Sequence, residues 1–334
     1  MKRILLTLAC CAFGMVFTVQ AHAAKVIKLG HIMPESHYTG QAFEAFKQKF
    51  QELTGSAYEV QVYHNGQLGD EKQLMESMQL GVGDLSLPNV AILGNINKNF
   101  SLLTFPFLFP TPEAGLDICN GPWGQKLVKE LESKGFVGLT FLQVGARNVT
   151  NNVRPINTLE DFKGLKLRVM QNPVILNVFR SLGANPTAMA WEEVFSALQQ
   201  NVIDGQENPV GHVTIFKLYE VQKYLSLTKH ALTLNLFVVS KRLFDSLPPE
   251  HQKAMFEAAE YTRTVHNKLR DEADIAALEE IRTKSSMVIN DVAPEEMERI
   301  RATALPQVAK EAQKVNAKLY EDLLKAIEAY EKQS

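Results

Sequence analysis

An α/β fold of two lobes around a cleft is what this sequence predicts, and three observations predict it. Short apolar strands alternate with longer amphipathic stretches, the order expected of helices packed on a mostly parallel sheet. The alternation occurs twice, once near the start and again after residue 135. With 334 residues the chain exceeds one small core and suits two domains. No low-complexity linker separates the two patterns, so lobes joined by crossing strands are expected rather than beads on a string.

The first 23 residues stand outside that fold. Lys2 and Arg3 precede an apolar run that ends in Ala21-His22-Ala23. A basic start, an apolar middle and a small-x-small end read as a secretory signal peptide, cleaved after Ala23. No later segment holds the roughly 20 apolar residues that a membrane helix needs. An exported, soluble, periplasmic chain follows. Two of its three cysteines, Cys10 and Cys11, leave with the leader, so Cys119 is unable to form an internal disulfide and reads as a buried, inert thiol. The net charge of −2 offers no basic surplus for phosphates, which argues against nucleic acid as a partner.

In chain order, 25–30 is strand-like. The stretch 41–53 places Phe43, Phe46, Phe50 and Leu53 at helical spacing. Residues 58–63 alternate like a strand, 70–83 form a helix that stops at glycine, and a short strand follows in "DLSLP". The second pattern has a strand over 135–144 and a short helix in "TLEDFKG", with Thr158 and Asp161 at capping-box spacing. A strand over 165–170 is followed by a helix over 172–183 that starts at proline and ends at glycine. A helix spans 191–202, and a strong strand 231–240. The charged stretch 248–285 is long enough to bridge two domains, and the C-terminal helical segment reads as peripheral. The lobes are expected over 24–146 plus about 235–275, and over 147–234 plus about 276–334.

The chain lacks a nucleophile elbow, a P-loop, an HExxH and paired CxxC motifs. His31 and His37 frame "HIMPESH", but no third metal ligand lies within sequence reach. His31 instead suits a pocket lining after the first strand, where α/β sheets place ligands. Asn148-Val149-Thr150 matches a glycosylation sequon, a pattern frequent by chance. In "LKLRVM", Leu165, Leu167 and Val169 share one strand face, and Lys166, Arg168 and Met170 the other. A half-solvated edge strand and a ligand-facing strand both produce that pattern. Arg147 falls just past the end of another strand, so it and Arg168 are placed to converge on one anion, whose oxygens match the guanidinium fork. Asn208, closing "VIDGQEN" before Pro209, adds a donor.

The segments "GARNVTNN", "LEDFKGLKLRVM", "LGANPTAMAWEEVFSALQQNVIDGQENP" and "YEVQKYLSLTKH" closely resemble the solute-binding proteins of tripartite ATP-independent periplasmic (TRAP) transporters. "GHIMPESH", "NGQLGDEKQLMESMQLG" and "FPFLF" match as well, and the resemblance covers essentially the whole mature chain. It implies a two-lobed flytrap that closes about a hinge on a small organic acid anion. It assigns the carboxylate clasp to Arg168, a second arginine to Arg147, and the "QEN" amide to Asn208. It puts Trp191 in the pocket wall, with Asn89 at the end of "GDLSLPN" and Glu71 facing the cleft. Met170 and Gln171 beside Arg168 resemble members that bind sugar acids and other hydroxy acids. The resemblance further implies delivery to the small and large membrane subunits of a TRAP carrier, with a monomeric protein and no cofactor, metal or catalysis. A sulfonate ligand, a sensor that feeds a receptor, and an exported enzyme on the same fold are the competing readings.

Overall fold

The computed structural model describes residues 24–333, so the expected leader lies outside the described residues. β1 (Lys25–Gly30) buries Ile27 and Leu29 and pairs in parallel with β2 (Tyr58–Tyr63) and β3 (Leu85–Ser86). Between them run α1 (Tyr38–Leu53) and α2 (Glu71–Gln79). α1 starts ahead of the expected residue 41 because the His37 side chain caps it, accepting the Thr39 backbone N–H at 3.1 Å. Phe43, Phe46 and Phe50 are fully buried, and the first two pack on Phe237 with ring centroids 4.9 Å away. A reciprocal capping box between Asp70 and Gln73 starts α2. α3 (Val90–Ile96), α4 (Pro112–Asn120) and α5 (Pro122–Lys129) complete this half, with Cys119 buried on α4, where burial pushes its thiol up.

β4 (Phe136–Asn151) and β8 (Tyr224–Ser240) form the long antiparallel pair on which everything else is hung. At 16 residues, β4 is about 50 Å long. Both strands run well beyond the apolar stretches that reveal them in sequence. Their polar ends are stable as strand because side chains satisfy one another: the Thr150 hydroxyl donates to Gln222 and accepts from Gln206. The register shifts at three places, one of them at Gly145, whose φ of 125° is outside the range most residues tolerate.

The other half of the sheet holds β5 (Lys166–Val169), α6 (Pro173–Ser181), β6 (Asn185–Ala188), α7 (Trp191–Gln199), β7 (Gly205–Pro209) and α8 (Val210–Ile215). The strand order is β2-β1-β3-β8-β4-β7-β5-β6. The structure closes one open alternative, corrects one expectation and adds one strand here. β5 is no edge strand; it pairs in parallel with both β6 and β7. Arg147 lies inside β4 rather than past a strand end. In "VIDGQENP" the strand is Gly205–Pro209, wholly buried against β4, whereas Val202 is exposed. That pairing is close enough to need glycine, since a Cβ on Gly205 would stand 2.1 Å from the Thr150 carbonyl oxygen. β6 is only four residues long, largely exposed and without apolar alternation, and escaped the pattern reading.

After α9 (Lys241–Asp245), α10 (Pro249–Lys284) runs for 36 residues, about 54 Å, and packs on α1, β4 and α8. It therefore bridges both halves, as its length suggests. β9 (Val288–Asp291), also missed, adds to β8 in parallel. α11 (Pro294–Glu331) is not peripheral. Ala304, Val308, Ala312 and Leu323 are buried in one core with α6 and the segment around Phe100. Its axis breaks at Asn316, whose side chain accepts the Leu319 N–H and recaps the second half. No helix among the described residues is long and apolar enough to cross a membrane.

Phe46 is fully enclosed by Phe50, Phe237 and neighbouring aliphatic groups. Phe46→Ala is expected to cost about 3–5 kcal/mol. Urea titration followed by circular dichroism measures it; a midpoint unchanged from the parent would show that this contact does not hold the first half together.

Candidate functional site

The parallel strands β1, β3, β5 and β7 all end at one partly open pocket, the place where open α/β sheets hold ligands. Ile32 and Met33 follow β1, Asn89 follows β3, Arg168 comes from β5 with Met170 just after it, and Asn208 from β7. Trp191 at the start of α7, His212 on α8, and Arg147, Thr233 and Asn235 on the crossing strands close the wall, with Glu71 at the start of α2.

Arg168 gets there because its strand alternates. Leu165, Leu167 and Val169 are buried in the apolar core, which turns Arg168 to the opposite face. Its side chain is only 4% exposed. Nε and Nη2 both donate to the Met189 carbonyl oxygen, at 3.0 and 2.6 Å. The guanidinium lies 5.7 Å from the Trp191 ring centroid. Among the described residues no carboxylate forms an ion pair with it. Burial lowers its pKa to about 10, so it remains a cation at neutral pH. A buried cation whose hydrogen bonds reach only a neutral carbonyl is poised for an anion.

Arg147 is differently placed. Its Nε and Nη2 grip the Glu207 carboxylate, the second at 2.9 Å, and Nη2 also donates to the Glu207 carbonyl oxygen. Nη1 donates to the Thr233 hydroxyl at 2.8 Å. His230 Nε2 lies 3.2 Å from the same carboxylate. Burial alone would raise the Glu207 pKa, but Arg147 and His230 outweigh it and hold the carboxyl at about 2. Arg147 thus borders the cavity with its charge already answered inside the protein. Two free arginines converging on one anion, as the sequence suggested, is not what the structure contains.

The other expected residues divide. Asn89 caps α3, donates to the Asn235 side chain at 2.9 Å and gives its backbone N–H to Glu71 at 2.9 Å. Asn208 donates one amide hydrogen to Gln206, leaving the other and its oxygen unspent in that bond. Glu71 is partly enclosed, and burial raises its pKa to about 7. Gln171 borders an adjoining crevice with Asp70, Lys72 and Glu192 rather than this cavity. His31 does not reach the cavity wall: Nε2 is 3.0 Å from His64, and Nδ1 accepts the Met33 N–H. Among the described residues no group of three or more metal-ligating side chains comes together.

Glu207, His212, Thr233 and Asn235 were missed. A signal existed for two of them. Thr233 and Asn235 alternate with Leu234 and Leu236, so a polar face runs through the most apolar strand of the chain. For Glu207 and His212 no local signal distinguishes them from loop residues.

A pocket at converging strand ends, whose apolar and polar lining carries one buried cation without an ion-pair partner among the described residues, suits the binding of a small anion. The chain belongs to bacterial extracellular solute-binding protein family 7, whose model matches residues 29–314. The family comprises TRAP transport binding proteins, not enzymes. The chain is 31% identical to the C4-dicarboxylate-binding periplasmic protein of Rhodobacter capsulatus, over 81% of each chain. It is 30% identical to the 2,3-diketo-L-gulonate-binding periplasmic protein of Escherichia coli, over 83% of this chain and 84% of that one. It superposes with a TM-score of 0.89 on the sugar acid binding protein of Advenella mimigardefordensis, crystallised with galactonate, at 33% identity over 92% of this chain and 98% of the other.

Glu207→Ala leaves Arg147 buried without its counter-ion and is expected to cost about 3–5 kcal/mol. Removing both charges with apolar replacements of similar size is expected to cost less than the single change. Urea unfolding of the two variants measures the difference, and equal losses would mean that the pair is not coupled. Since the Glu207 pKa is depressed, its stabilisation is complete above the ordinary carboxylate range and is lost as pH falls towards about 2.

Proposed function

We propose that this chain is a periplasmic binding protein that captures a small organic acid anion and delivers it to a TRAP carrier of small and large membrane subunits. The single observation that carries the reading is Arg168, a buried cation at the cavity with no ion-pair partner among the described residues. Asn208, Asn89 and Trp191 would complete the clasp, with Met170 packing beside the arginine and Arg147 holding the wall through Glu207. Gln171 and His31 would act at one remove from the ligand. Related proteins bound to galactonate, β-D-galacturonate and D-glucuronate support an organic acid as the ligand class.

The two halves of the sheet would act as lobes, with residues 24–146 plus about 235–275 in one and 147–234 plus about 276–334 in the other. β4, β8 and α10 cross between them. A hinge near Gly145, where β4 shifts register, would let the lobes close on ligand in a monomeric protein.

Native mass spectrometry of the protein purified from cells identifies what it carries. Titration calorimetry with that compound then tests the clasp. Truncating one partner of a buried charge pair costs about 2–5 kcal/mol, roughly 30-fold to several thousand-fold in affinity. Arg168→Ala is expected to lose that much, and Arg168→Lys nearly as much, because an ammonium does not reproduce the planar fork. A folded Arg168→Ala protein with parental affinity would overturn the reading.

A further inference from the structure

The titratable groups on the cavity wall are Glu71, Arg147, Arg168 and His212. Arg147 is cancelled by Glu207. His212 is neutral at physiological pH, because burial and then the two arginines lower its pKa to about 3. Its Nδ1 is buried without a hydrogen-bond partner. Arg168 is therefore the one unanswered positive charge on this wall among the described residues. The rest is neutral and polar: Asn89, Asn208, Thr233 and Asn235.

Glu71 is the other charged possibility on the wall, and it is held in place. Its Oε1 accepts the Asn89 backbone N–H at 2.9 Å, which ties the start of α2 to the end of β3. The charged groups around it are Asp70 on its own helix side, Glu192 on α7 and Arg168 on β5. Lys72 borders the adjoining crevice, which shares Glu71, Arg168, Met170 and Trp191 with this wall; there it stands with Asp70 and Glu192, and it lies 3.8 Å from Glu76.

We propose that the cavity selects acids carrying a single carboxylate, their remaining polar groups being neutral hydroxyls, and that Glu71 is the specificity residue that turns a second carboxylate away. The proposal rests on the organic-acid reading above and narrows it. One carboxylate would answer Arg168. A second would find no cation on the wall and would meet the carboxyl of Glu71. Neutral amides and hydroxyls serve ligand hydroxyls equally well as donors and acceptors. Rejection by like charge is the repulsive half of specificity, and it comes from a group that need not contribute to binding the right ligand.

The same arrangement makes binding pH-dependent. Burial, with Glu192 and Asp70 adding to it, raises Glu71 to about 7 against the opposing pull of the Asn89 N–H and Arg168. A second carboxylate entering beside Glu71 favours its protonated form. Binding of a dicarboxylate should take up a proton, and its affinity should fall as pH rises above about 7, by up to about tenfold per unit.

Titration calorimetry of the whole protein with galactonate, D-glucuronate and D-erythronate, against succinate, tests this. At about pH 9, where Glu71 is ionised before ligand enters, the parent is expected to bind at least one of the monocarboxylates on the order of a hundredfold more tightly than succinate, since protonating Glu71 to admit a second carboxylate costs about tenfold per pH unit. Glu71→Gln keeps the oxygen that accepts the Asn89 N–H. It is expected to narrow that ratio by about tenfold or more and to abolish proton uptake, read in buffers of different ionisation heat. A parent that binds succinate as tightly as every monocarboxylate overturns the proposal while leaving the organic-acid reading intact. So does a folded Glu71→Gln protein with the parental ratio and proton uptake. A parent that binds none of these acids, and carries no organic anion by mass spectrometry, overturns both. The parental ratio and proton count are independent of whether the variant folds.

Discussion

The buried pair between Arg147 and Glu207 is the interaction on which the site depends. It fastens β4 to β7, the strand that carries Asn208, in the middle of a sheet with no solvent to share the charge. Isolated, either charge would be costly to bury. Together, with Thr233 and His230 taking the remaining hydrogen bonds, they become a rigid neutral unit. That neutrality gives Arg168 its meaning. Two unpaired buried arginines would repel one another and call for a dianion, whereas one paired and one unpaired leave a single positive charge in a polar cavity.

The geometry around that charge follows from ordinary strand physics. A period of two sends Leu165, Leu167 and Val169 into the core and Arg168 away from it. The same period on β8 sends Thr233 and Asn235 to the cavity and Leu234 and Leu236 to the core. The apolar layers thus aim the polar ones. Met189, on the segment after β6, takes one edge of the Arg168 fork and fixes its direction.

The crossing strands and the two long helices hold the halves in register. β4 and β8 pair along nearly their whole length, yet shift register at three points. Such irregularities concentrate twist and bending, and one falls at Gly145, two residues before Arg147. α10 packs across both halves, and α11 ties α6 to the segment around Phe100. In the proposed closure, movement of one half against the other would concentrate at these irregularities.

The sequence by itself determined the alternating architecture, most of the elements, the bridging helix, and the face on which Arg168 lies. These are legible because periodicity, caps and Pro/Gly punctuation are local signals, carried by residues close together in the chain. What it left undecided depends on partners far apart. β7 is polar throughout and is a strand only because β4 and β5 pair with it on both sides. The full lengths of β4 and β8 rest on long-range bonds such as Thr150 to Gln222, just ahead of β8 and 72 residues away. α11 looks peripheral by composition and is buried by what it meets. Arg147 reads as a second clasp until Glu207, 60 residues later, occupies it. A side chain's charge is written in the sequence, but whether that charge is free depends on what the fold places beside it.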